Sequence, residues 1–153
     1  MAKVGAVGYV PQALQAAREK KGWTKADLAR RAGLKRQMLT SYEMPGGASP
    51  SAERLGILAA ALGRSPADFI DPKAQGMAVL RARAGLSQRD VIAKLPTDDL
   101  KLTTYQSIEC GRVRRLRHSD ATALAGVFGA TPEDVQAAHA YDVEQWAARE
   151  LDD

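Results

Sequence analysis

The chain has 153 residues, 45% apolar and only 5% aromatic, with one cysteine and a net charge of +4. With Cys110 alone, no internal disulfide and no cysteine-based metal site can form. No apolar run approaches the ~18 residues of a membrane span, and Met1 to Pro11 lacks the basic start and long apolar run of a signal peptide. A reducing cytoplasm is the expected compartment.

The charge is unevenly placed. Residues 1–75 carry 12 Lys/Arg against 6 Asp/Glu, residues 76–131 carry 9 against 5, and residues 132–153 carry 1 against 7. Basic bodies of this kind favour a polyanionic partner such as nucleic acid.

Residues 1–10 hold two glycines and little periodicity, which predicts a flexible arm. A first helix is expected from Pro11 to Lys21, with Leu14 and Ala17 inward, stopped by Gly22. Thr24 and Asp27 have the spacing of a capping pair for a second helix, which ends at Ala32-Gly33. The third helix is predicted over Lys35–Glu43, with Leu39 and Tyr42 facing the core. Met44 to Pro50, with two Pro and two Gly, must be loop. A fourth helix follows over Ser51–Leu62, and Ser65-Pro66-Ala67-Asp68 opens a short fifth.

The order then repeats. Arg18–Leu28 reads against Arg81–Val91, and Ala61–Phe69 against Val127–Val135. The second set is expected at Gly76–Ala84, after the Ser87 cap with Asp90, at Leu102–Cys110, at Ser119–Phe128, and from Pro132 to Glu150 with Tyr141 and Trp146 as anchors. The offset between copies is 63 residues up to the second helix and 66 after the third (Glu43 to Glu109), so three extra residues lie within Leu95–Lys101. Two units of about 60 residues follow, each just large enough for a core without staples. The division reads as an arm 1–10, domain 11–71, linker 72–75, domain 76–136 and an acidic helix or tail 137–153.

These residues resemble the Cro/C1-type (XRE) helix-turn-helix family. In the first copy the resemblance is carried by Arg18, Gly22-Trp23-Thr24-Lys25-Ala26-Asp27-Leu28-Ala29, Gly33, Glu43 and Leu58–Gly63. In the second, Arg81, Gly85–Val91, Ile108–Arg112 and Leu124–Gly129 carry it. The resemblance implies an all-α chain of two lambda-repressor-like five-helix domains in tandem. It also implies that each third helix enters a DNA major groove and each second helix starts on the phosphate backbone. Arg18 with Glu43, and Arg81 with Glu109, are then structural ion pairs between the first and third helices.

On that footing the DNA-contacting residues of the first copy are Lys25, Lys35, Arg36, Gln37, Thr40 and Ser41. Arg36 suits guanine and Gln37 adenine. In the second copy they are Gln88, Lys101, Thr103, Gln106 and Ser107, a poorer base-reading set, with Leu102 able to meet a thymine methyl. Arg112, Arg114, Arg115 and Arg117 follow, whereas the first copy has no charge at Pro45–Ser49. The expected division of labour gives sequence reading to the first copy and backbone grip to the second. The chain is thus expected to act as a transcriptional repressor on double-stranded DNA, a covalent pseudo-dimer located with the nucleoid when bound. The rival reading is an antitoxin, immunity or adaptor protein whose second copy or C-terminal helix takes a protein partner. The same tail also suits homodimerisation or packing on the second copy.

Other features are read as structural. Trp23, Tyr42 and Tyr105 are expected in cores. His118 and His139 have no ligand partner at useful spacing, so no metal and no cofactor is expected. Cys110, flanked by arginine, is read as a small side chain before a redox sensor. No phosphate loop, nucleophile–base pairing or carboxylate pair supports an enzyme.

Overall fold

Capping side chains mark the starts of the second, fourth and sixth helices, at Thr24, Ser51 and Ser87. The structure, a computed structural model describing residues 5–152, places α1 at Pro11–Lys20, α2 at Lys25–Ala32, α3 at Arg36–Glu43 and α4 at Ala52–Ala61. Next come α5 (Met77–Arg83), α6 (Gln88–Lys94), α7 (Leu102–Glu109), α8 (His118–Phe128) and α9 (Pro132–Asp152). Thr24 and Asp27 form a reciprocal capping box at 2.9 and 3.1 Å, as do Ser87 and Asp90 at 3.0 and 3.1 Å. The backbone N–H of Thr24 holds the Asp27 carboxyl below its ordinary range, and that of Ser87 does the same for Asp90.

The chain divides into two compact units, Met1–Ala74 with Ala82–Gly85 and Gln75–Arg81 with Leu86–Asp153. Unit 1 is built on Leu14, Leu28, Leu39, Leu55, Leu58 and Leu62, each no more than 1% exposed, closed by Phe69 and Ile70. In unit 2, Met77, Val91, Tyr105, Ile108, Leu124 and Val135 occupy the centre. Among the described residues no helix is long and apolar enough to cross a membrane.

Three expectations change. The short fifth helix of the first copy is a single 3-10 turn, Pro66–Phe69, because Ile70 goes extended and pairs with Tyr9 in an isolated antiparallel bridge. The arm is not loose over residues 5–10: Ala6 is buried, its N–H reaches Pro50 O at 2.7 Å, and Val10 N–H reaches Phe69 O at 2.8 Å. Residues 1–4 of that predicted arm lie outside the described residues. The Tyr9 hydroxyl also donates to Tyr42 O at 2.7 Å, tying the segment to the end of α3. Lastly, the segment set apart at 137–153 belongs to unit 2, since α9 runs unbroken from Pro132 to Asp152, as the helix expected from Pro132 to Glu150 requires.

The turns before α3 and α7 differ as the offset requires. Gly33 closes α2 in the left-handed conformation (φ 69°), which only glycine adopts at little cost. α6 stops one residue earlier, its cap Leu95 is extended, and Leu95–Lys101 forms a longer loop anchored by buried Leu100.

α9 reaches the start of α5 through Asp142, whose Oδ2 accepts the Met77 N–H at 2.8 Å. Burial pushes the Asp142 carboxyl up to about 6, helped by the Glu109 charge and opposed by the Met77 N–H and Arg149. A carboxyl whose folded pKa lies above its unfolded value of 3.8 gives stability that is full below that value and lost as pH rises through about 6. Asp142→Asn keeps an acceptor for Met77 and removes the titration. It is expected to raise the melting temperature of unit 2 at pH 8 and to leave it unchanged at pH 4. An equal shift at both pH values would discard this account.

Candidate nucleic-acid interface

In unit 1 the orientation of α3 is set by a buried clamp. Arg18 Nε donates to Glu43 Oε1 and Oε2 at 2.9 and 3.0 Å, its second guanidinium nitrogen sits 2.8 Å from Oε1, and Nη1 donates to Trp23 O at 2.7 Å. One side chain therefore joins α1, the α1–α2 turn and the end of α3. With Leu39 and Tyr42 buried on its inner side, α3 leaves Arg36 and Gln37 exposed, next to exposed Lys35 at its cap.

Lys25 is half-buried at the start of α2 and lines a shallow cleft of about 530 Å³ with Arg18, Thr24, Ala26 and Arg36. The Arg18 charge is matched by Glu43, so Lys25 and Arg36 supply the free positive charge there. No acceptor among the described residues takes the N–H groups of Lys25 and Ala26. A helix start with open amides and two cations is suited to an anionic oxygen.

Thr40 and Ser41 are less available than the sequence suggests. Both are half-buried, the Thr40 hydroxyl donates to Arg36 O at 3.3 Å, and Ser41 Oγ accepts the Ala48 N–H at 3.0 Å, holding the loop after α3. They shape the edge of the interface more than they present polar atoms to it.

Unit 2 builds the same clamp. Arg81 Nε and Nη2 donate to Glu109 at 2.9 and 2.8 Å, and Nη1 donates to Leu86 O at 2.9 Å. Its outer face differs. Gln106 donates to Gln88 at 3.1 Å and Gln88 to Glu109 at 3.2 Å, so Gln88 is fixed inside the unit and Gln106 is the outer end of the chain. Lys101 and Thr103 are exposed, and Ser107 is half-buried. Asp98 and Asp99 stand exposed just before α7, where the first copy has only Gly33 and Leu34. Tyr105 replaces Leu39 in the core; its buried hydroxyl has no hydrogen-bond partner among the described residues.

The four arginines are not equivalent. All are exposed, but Arg112 stacks on Trp146 at 5.4 Å and Arg117 pairs with Asp120 at 2.9 Å. Arg114 and Arg115 carry no intramolecular partner among the described residues. Cys110 is exposed, with its thiol on Ser107 O at 3.4 Å. Sequence reading missed the stacking of Arg31 on Trp23 at 4.3 Å and the Arg54 to Tyr42 hydroxyl bond at 2.9 Å. Neither follows a local spacing, so only the tertiary fold reveals them.

A family model described as helix-turn-helix matches residues 14–69. No curated protein and no solved structure matches the chain. The match runs from within α1 to the 3-10 turn, the same segment that carries the clamp, the capped start of α2 and the exposed row at the start of α3. Residues 14–69 are a helix-turn-helix domain of the Cro/C1 (XRE) type, a DNA-binding fold.

Proposed function

We propose that the chain is a cytoplasmic, non-enzymatic transcriptional repressor that binds double-stranded DNA at a specific site, with unit 2 acting as a second helix-turn-helix domain on the same polypeptide. The exposed row Lys35, Arg36 and Gln37 beside the open start of α2 carries this reading. A major groove admits one helix, and these residue types read base edges there. The reading of unit 2 draws on its Arg81–Glu109–Leu86 clamp, which uses the same three guanidinium nitrogens as Arg18–Glu43–Trp23, Nε and Nη2 on the carboxylate and Nη1 on the backbone carbonyl. With one exposed cation, Lys101, capping the start of α7, two acids before it and two unpaired arginines after the helix, unit 2 grips phosphates and unit 1 reads bases.

Selection of bound sites from random DNA, followed by footprinting, tests this. Two adjacent protected segments are expected. Arg114→Ala with Arg115→Ala should lower the salt slope by about 2 and weaken binding to every sequence, by about 30-fold at 0.15 M salt, since each phosphate contact contributes ~0.9 to the slope. An unchanged slope removes the arginines from the interface.

One observation favours a second reading, a protein partner on unit 2. Asp98 and Asp99 place negative charge where a phosphate would approach α7. A single protected segment together with a co-purifying protein supports it.

A further inference from the structure

Resting on the assignment of Arg114 and Arg115 to phosphates, we propose that α9 is the positioning element of the arginine loop, and that Gln136 and His139 are its positioning residues. His139 is 4% exposed, and its Nε2 lies 2.7 Å from Val113 O. A carbonyl can only accept, so Nε2 carries the proton. Three residues earlier on the same face of α9, Gln136 Nε2 donates to Leu116 O at 3.3 Å. Those two carbonyls bracket one dipeptide, Arg114-Arg115.

Further contacts fix the approach to it. Gly111 (φ 86°) passes so close over α9 that a Cβ there would overlap the Asp142 carbonyl. Arg112 stacks on Trp146, and Leu116 is buried in the core of unit 2. The corresponding loop of unit 1 closes on itself, through Gly47 N–H to Met44 O at 2.9 Å and Ala48 N–H to Ser41 Oγ, and carries no arginine. Side-chain anchorage from a later helix thus accompanies the cationic loop and is absent from the neutral one, which α3 and Ala6 hold instead. Ordering a free loop on DNA would cost chain entropy at the moment of binding, and α9 removes that cost beforehand.

The test uses the full chain with His139→Leu, His139→Gln, Gln136→Leu and the Arg114→Ala/Arg115→Ala pair, each checked for native helix content and melting. Trypsin cleavage after Arg114 and Arg115 reads the order of the loop, and titration of the selected DNA site against salt reads the grip. His139→Leu and Gln136→Leu should each speed cleavage there about tenfold and weaken DNA binding several-fold with a shallower salt slope. His139→Gln keeps a donor and should restore both readouts. Wild-type cleavage in both leucine variants overturns the proposal, even if they melt early. So does faster cleavage with unchanged DNA binding, provided that the double arginine variant still weakens it. If the double variant itself binds like wild type, the phosphate assignment has failed and this role falls with it, whatever trypsin shows.

Discussion

Glu43→Ala should destabilise unit 1 by about 3–5 kcal/mol, because it leaves the Arg18 guanidinium in a buried site with no counter-charge of comparable quality. The side chains of the pair are only 10% and 3% exposed, and all the short contacts to Arg18 other than Trp23 O come from Glu43. Glu19, at 4.0 Å and largely exposed, compensates weakly. A unit of this size has a total stability of roughly 4–12 kcal/mol at the usual ~0.05–0.15 kcal/mol per residue, so the loss takes a large share of what holds the unit together. The comparison that isolates the cause is Arg18→Met with Glu43→Leu. Removing both charges should recover most of the stability, since a buried pair is worth little net against an apolar substitute of similar volume. Glu109→Ala in unit 2 should cost less, because Arg81 is more exposed, at 17%. The chain has two tryptophans, one in each unit, so a Trp146→Phe background leaves Trp23 as the fluorescent reporter of unit 1. A single variant that melts with the parent, or a double variant as unstable as the single, would contradict the desolvation argument.

What the sequence reveals of this fold is what short spacing encodes. The capping pairs Thr24–Asp27 and Ser87–Asp90, the Gly33 stop and the extent of the helices all follow from residues within a few positions of one another. The clamp partners lie 25 and 28 residues apart, and the resemblance, not the spacing, supplied them. Features hidden from the sequence all depend on how distant segments meet. Tyr9 is an unremarkable aromatic until it pairs with Ile70 and caps the Tyr42 carbonyl. His139 and Gln136 look like ordinary helix positions until the chain from Val113 to Leu116 is laid against them. Four closely spaced arginines read as one patch, yet Trp146 and Asp120 occupy two of them. Composition can count charges along the chain, but it cannot count those left free by tertiary partners.

Arg36→Ala should weaken binding to the selected DNA site by up to about 100-fold while hardly changing affinity for random DNA, because a bidentate arginine–guanine contact discriminates by ~1–3 kcal/mol. Arg36 is the first residue of α3, exposed, and its guanidinium has no intramolecular partner among the described residues. Lys25, across the cleft, is the internal comparison. If it meets phosphate at the start of α2, Lys25→Ala should weaken all sequences alike and lower the salt slope by about 1. The pair of variants therefore separates base reading from backbone contact within one cleft, using the ratio of specific to non-specific affinity. Repeating the site selection with Arg36→Ala should also relax preference at a single base pair and keep the rest. A uniform loss on all sequences would move Arg36 to the backbone, and no loss at all would mean that α3 does not enter the groove.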